Sequence, residues 1–99
     1  MHMKFTVIIL PSADTDLTYF RAHEQRIILT GIATHLTYDA TVETKRRKKL
    51  DPNRIAPWEL RIDHYRIFYA SEHTAVLKVV AIGYKDHNDL YIRGKKVDL

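Results

Sequence analysis

Two arginines facing each other across a tight turn are the first residues in this chain with a chemistry to suggest. Residues 58–62 and 65–70 alternate apolar and polar side chains and are joined by Asp63-His64, the length of a two-residue hairpin loop. In that register Ile62 faces Tyr65, Arg61 faces Arg66, Leu60 faces Ile67 and Glu59 faces Phe68. Trp58, Leu60, Ile62, Tyr65, Ile67 and Tyr69 then share one face, and Arg61 and Arg66 share the other. Like charges directly opposite destabilise a sheet by about a few tenths of a kcal/mol. Such a pair persists where an anion bridges it, or where Glu59 or a nearby acid forms a salt bridge with it. The residues alone leave both readings open.

A second cluster follows the apolar run 75–83. Lys85, His87 and Tyr91 fall in a polar segment, 84–96, expected to fold back over the arginine face. Arginine holds a phosphate bidentately, and a lysine, a histidine and a tyrosine are types that move protons at a phosphodiester. The plainer readings are a core-edge aromatic for Tyr91, between Leu90 and Ile92, and an exposed loop residue for His87. His23, His35, His64 and His73 show no metal-ligand spacing and read as surface residues. There is no Gly-rich phosphate loop and no Ser/His/Asp arrangement.

The elements that must position these residues follow from composition and period. The 99 residues are 45 % apolar and 28 % charged, the balance of one globular domain, 1–99, with one core. The absence of cysteine excludes a disulfide scaffold, a thiolate metal site and a Cys nucleophile. An unstapled chain this small is expected in the reducing cytoplasm. No apolar run reaches the roughly 18 residues of a membrane span, and the start, Met1-His2-Met3-Lys4, does not read as a signal peptide. Charge is uneven. Residues 1–44 hold three basic groups and five acids, whereas residues 45–99 hold thirteen basic groups and seven acids. The densest run is Lys45-Arg46-Arg47-Lys48-Lys49. One basic side suits a polyanion or an acidic protein, and a solvated surface is the bland alternative.

Residues 4–10 read as a strand ending at Pro11. A short helix capped by Ser12, with Asp14 and Asp16 at its positive end, runs to about Arg21. A second helix covers about Glu24 to His35, with Leu29, Ile32, Ala33 and Leu36 as its packed stripe. Gly31 inside it costs about 1 kcal/mol relative to Ala. Residues 43–50 form a strand, Asp51-Pro52-Asn53 a turn, 58–62 and 65–70 the hairpin, 75–83 a central strand, and 97–98 a short last one. The order β-α-α-β-β-β-β predicts an α+β fold: an antiparallel-dominated sheet of four to five strands with a helical hairpin on one face.

The stretch Pro57-Trp58-Glu59-Leu60-Arg61-Ile62-Asp63-His64-Tyr65-Arg66-Ile67-Phe68-Tyr69, with the later Ile82-Gly83-Tyr84-Lys85 and Tyr91, resembles the RelE/ParE toxin superfamily, on its RelE side. The resemblance covers about the last 45 residues, and the first half matches only in element order and length. It implies a toxin of a bacterial or archaeal toxin–antitoxin pair that cuts mRNA in the ribosomal A site. There the 2′-hydroxyl of one nucleotide attacks the adjacent phosphate, with no metal or other cofactor required. It assigns phosphate holding to Arg66, leaving-group protonation or charge stabilisation to Lys85, and the general-base or orienting role to Tyr91. His87, which has the better intrinsic pKa of about 6.5, and Glu59 are competing bases. Two lysines that RelE-type members carry before the turn correspond to Pro57 and Glu59. Arg61 and the run Lys45, Arg46, Arg47, Lys48 and Lys49 are the expected substitutes in substrate binding. The partners implied are ribosome, mRNA and an acidic, mostly helical antitoxin. The antitoxin is expected on an apolar groove beside the helices, displacing the segment of Tyr91 or covering Arg66. The same fold also accommodates a ParE-like DNA gyrase inhibitor or a non-catalytic antitoxin-binding homologue.

Overall fold

A computed structural model describes residues 2–72 and 74–99; His73, read above as a surface residue, lies outside the described residues. The fold is α+β. Strand β1 (Thr6–Ile9) leads into helix α1 (Pro11–Leu17) and helix α2 (Ala22–Leu36). Six strands follow: β2 (Arg47–Lys49), β3 (Trp58–Ile62), β4 (Tyr65–Ser71), β5 (Val76–Asp86), β6 (Asp89–Ile92) and β7 (Lys95–Val97). They form one sheet of seven strands in the order β2-β3-β4-β5-β6-β7, with β1 added to β5 off that path.

The hairpin register is the one its alternation dictates: Ile62 opposite Tyr65, Arg61 opposite Arg66, Leu60 opposite Ile67, Glu59 opposite Phe68. Trp58, Leu60, Ile62, Tyr65, Ile67 and Tyr69 are all buried, and they pack with Ile28, Ile32 and Leu36 of α2 and with Phe5, Ala13 and Leu17. At about 25 cal/mol per Å², this layer supplies the main driving force for folding. The stripe of α2 is rotated from the expected one. Ile28, Gly31, Ile32 and Leu36 face inward, while Leu29 is exposed. Gly31 explains the rotation. A Cβ there would lie 2.9 Å from Ile62 Cγ1, so the helix rides against β3 only because that position is bare.

Strand β5 is the spine. It extends to Asp86, three residues past its expected end, and runs antiparallel to β4 along one edge. Its other edge is shared: β1 pairs in parallel with Val76–Val79, and β6 pairs antiparallel with Tyr84–Asp86. The segment 84–96 is therefore not a loop but the end of one strand and a further hairpin. Its turns are tight because His87 and Arg93 adopt φ of 57° and 52°, with Gly94 at 71°. With these pairings the sheet has more strands than the four to five expected.

Between β1 and β6 the edge of β5 is bare of strands, and α1 fills the gap. Ser12 does not cap the helix. Pro11 starts it, and the Ser12 hydroxyl donates to the Val80 carbonyl at 2.7 Å. The buried Asp16 carboxylate accepts the Ile82 N–H at 2.9 Å and the Arg93 Nε at 2.5 Å. A side chain thus replaces the missing strand in satisfying a buried amide. Beyond Lys49, the Asp51-Pro52-Asn53 turn is organised by the Asn53 amide, whose Oδ1 accepts from the Ile55 and Ala56 N–H groups. That loop covers a second, smaller core of Ala56, Phe68 and Leu90 on the face away from the helices. Among the described residues, no helix is long and apolar enough to cross a membrane.

Candidate functional site

The open face of the sheet gathers cations from four strands by register alone. Arg46, just before β2, lies opposite Arg61, whose amide donates to the Arg46 carbonyl at 2.8 Å. Arg61 lies opposite Arg66, and Arg66 opposite Gly83. The result is a lateral row, Arg46–Arg61–Arg66, with rungs about 4.8 Å apart. Lys48 opposes Glu59 on the same face, and Lys85, two residues past Gly83, returns to it. Gly83 keeps the end of the row open to a close neighbour: a Cβ there would fall 2.3 Å from the Tyr91 carbonyl oxygen.

The salt-bridge reading of the facing arginines holds for one of the two. Arg61 is paired: its Nε donates to Glu59 Oε1 at 2.7 Å, with Glu59 buried and Arg61 46 % exposed. Among the described residues Arg66 has no ion-pair partner. Its Nη1 donates to the carbonyls of Asp63 and Tyr65 at 2.8 and 2.9 Å, which lock the guanidinium against its own turn. Its Nε is buried with no hydrogen-bond partner, a donor whose desolvation goes uncompensated. Burial pushes the Arg66 pKa below its ordinary value, the Glu59 charge opposes that, and Arg61 adds to it. A guanidinium stays charged at neutral pH under any such shift. One buried carboxylate among Lys48, Arg61, Arg66 and Lys85 leaves this face positive.

The five-residue basic run is divided between the two faces of the sheet. Arg47 points the other way, to the helix side. Its Nη1 donates to the carbonyls of His35 and Tyr38 at 2.9 and 3.3 Å, and its Nε to Val42 at 3.0 Å. It ties down the C-terminal end of α2, with its guanidinium taken up by these carbonyls rather than turned to the open face. Lys45 and Lys49 are exposed and Lys48 belongs to the open face, while the Arg46 side chain, its Nη1 3.5 Å from the Arg61 carbonyl, lies near His35.

The second expected cluster does not assemble. Tyr91 opposes Tyr84, and Tyr84 opposes Tyr65, so all three stand on the helix side. Tyr84 and Tyr91 stack with ring centroids 5.4 Å apart, and Phe20 meets Tyr84 edge-on at 6.2 Å. Tyr91 is thus two strands from Arg66 and on the opposite face, so the two share no pocket. The plainer reading of Tyr91, an aromatic at the core edge, is the one the pairing gives. His87 lies at the tip of the β5–β6 turn, 93 % exposed, with its Nδ1 2.9 Å from the neighbouring Asp86 carboxylate. Lys85 alone of that group stands near the arginine row, half-buried, its Nζ loosely placed 3.5 Å from the Asn88 carbonyl.

Two concavities flank the row. One, of about 530 Å³, runs along α2 beside the β3–β4 turn and is lined by His23, Arg26, Ile27, His35, Arg46 and Ile62 among others. It lies beside the helices and has a basic rim. The other, of about 610 Å³, opens near the β6–β7 hairpin, with Ile55, Val80, Ala81, Ile92 and Val97 as its apolar floor. Arg54, Arg93, Lys95 and Lys96 surround it. Sequence reasoning missed this cleft and the Asp16–Arg93 pair behind it, because both depend on the unforeseen β6–β7 hairpin. Among the described residues, no three His, Asp or Glu side chains converge as metal ligands.

No family model matches the sequence, and no curated protein matches it.

Proposed function

We propose that the chain is a RelE-type toxin, an endoribonuclease that cleaves mRNA on the ribosome. The observation that carries this reading is the row Arg46–Arg61–Arg66 with Lys85 beside it on an open sheet face. A locked guanidinium with further cations around it suits a phosphodiester that gains charge as it is attacked. The 2′-oxygen bonds to phosphorus as the P–O5′ bond breaks, leaving a cyclic phosphate and a free 5′-hydroxyl. Arg66 and Arg61 neutralise the non-bridging oxygens, and Lys85 protonates the departing 5′-oxygen. Tyr91 and His87 stand away from the row, so proton removal from the 2′-hydroxyl falls to Glu59, the carboxylate already on this face. Arg61 turns from Glu59 to the phosphate as the strand binds. No cofactor enters this scheme.

An acidic, helical antitoxin suits the cleft beside the β6–β7 hairpin, where an apolar stripe meets Ile92 and Val97 while carboxylates meet Arg54, Lys95 and Lys96. Docking there blocks the adjacent arginine row.

A second reading is favoured by one observation, the separation of Tyr91 from Arg66 on opposite faces. A gyrase inhibitor or a non-catalytic homologue needs no such convergence. Conditional expression with mapping of transcript 5′ ends separates them. New 5′-hydroxyl ends inside translated messages, lost in Arg66→Ala and in Glu59→Gln, support the nuclease. Growth arrest with intact mRNA and blocked supercoiling supports the inhibitor, and continued growth supports the non-catalytic homologue.

A further inference from the structure

We propose that the groove along α2 is a second RNA subsite, holding the sugar–phosphate backbone of a strand that has crossed the arginine row. The proposal rests on the endoribonuclease reading and extends it to a part of the surface outside the reacting phosphate.

Arg46 is the link. Its main chain stands opposite Arg61 and so ends the row on the open face, yet its side chain lines the groove on the helix side. From Arg66 to Arg46 is two rungs, about 10 Å. Strand β2 is the edge of the sheet, so a backbone leaving the row in that direction meets no further strand. It turns over the rim and enters the groove. There it meets His23, Arg26 and His35, with Thr30 and Thr34 as hydroxyl donors. Asp63 is the one carboxylate among the groove's lining residues. Ile27, Gly31 and Ile62 give an apolar floor on which ribose and base faces rest. An acidic peptide would feel the same charges, but only an extended polyanion uses the row and the groove together.

Proton linkage gives the subsite a signature. The His35 ring is kept toward its neutral form by partial burial, then by the charges of Arg46 and Arg47. The groups around the groove are His23, Arg26, Arg46 and Asp63, with Arg47 beneath. A phosphate placed among them offsets the cations and favours protonated histidine, so binding takes up protons and strengthens toward acid pH.

The test uses 2′-O-methyl oligouridylates, which cannot be cut, and fluorescence anisotropy. An oligomer of about 12 nucleotides spans row and groove, whereas a trinucleotide occupies the row alone. The 12-mer is expected to bind about tenfold tighter than the trinucleotide at moderate salt and to gain several-fold between about pH 7.5 and about pH 5.5. The pair His23→Gln/His35→Gln removes the pH gain and weakens the 12-mer while leaving the trinucleotide within about twofold. Arg26→Gln, at an exposed position, weakens the 12-mer by itself. Wild-type behaviour of the histidine pair on the 12-mer, pH gain included, overturns the groove. So does histidine-dependent binding of polyglutamate with no length preference for RNA. Arg66→Ala is the separate arm: it weakens both lengths if the row holds phosphate, and unchanged binding there overturns the row instead.

Discussion

The two faces of the β3–β4 hairpin are built from alternate residues of the same thirteen-residue stretch, yet they do opposite things. One face carries Trp58, Leu60, Ile62, Tyr65, Ile67 and Tyr69 into a closed layer under α2, where every side chain has a fixed neighbour. The other carries the exposed Arg61 and the half-buried Arg66 beside the buried Glu59 and the smaller core around Phe68, and one donor there, the Arg66 Nε, has no partner among the described residues. The first face is optimised for stability and the second is not, which is the pattern expected where a surface is kept for a ligand. The same division cuts through the basic run. Arg47 is drawn in by three carbonyls, while its neighbour Lys48 stays with the open face.

The comparison breaks if substitutions on the two faces have similar consequences. The largest effect is expected at Leu60→Ala, which opens a cavity in the closed layer and costs about 2–5 kcal/mol by urea denaturation. Asp16→Ala comes next, at about 2–3 kcal/mol, because it strands the Ile82 amide and removes the partner of Arg93. Arg47→Ala loses about 1–2 kcal/mol while leaving the salt dependence of RNA binding unchanged. Lys48→Ala is the converse: stability within about 0.5 kcal/mol of the parent, and a shallower salt slope. If Arg47 and Lys48 behave alike in both assays, the division of the basic run is wrong.

A finer test uses pH. The Tyr65 phenol is raised to about 12 by burial, by its hydrogen bond to Glu24 and by the charges of Glu24 and Asp63. In the unfolded chain it titrates near 10. The folded state therefore holds the extra proton between those values, and stability falls as pH rises through that window. Tyr65→Phe flattens this alkaline loss. His35 has the opposite sign. Its folded pKa is lowered, so stability falls as pH drops below its unfolded value of about 6.5, and His35→Gln removes the drop.

Much of the central hairpin was legible in the sequence, because period-two alternation and a two-residue loop determine register and faces together. The arginine pair and its Glu59 partner followed from that. The rest was hidden for identifiable reasons. His87-Asn88 and Arg93-Gly94 are turns, but His87 and Arg93 adopt positive φ without being glycine, and the strand between them has only four residues. Without that hairpin, Tyr91 was free to be placed on either face. The inward turn of Arg47 follows from its place opposite Leu60, yet five consecutive cations give no amphipathic contrast by which to read it. The rotated stripe of α2 depends on Gly31 meeting Ile62, a tertiary contact that helical period alone does not contain.

Asp16 gives the molecule an internal clock. The Ile82 amide is shielded by a carboxylate on a seven-residue helix rather than by a neighbouring strand. Its hydrogen–deuterium exchange therefore reports how often that helix lifts from the edge. The Ile67 and Leu77 amides, deep in the ladders, report global unfolding instead. A rate at Ile82 well above theirs would mark α1 as a door that opens while the rest of the protein stays folded.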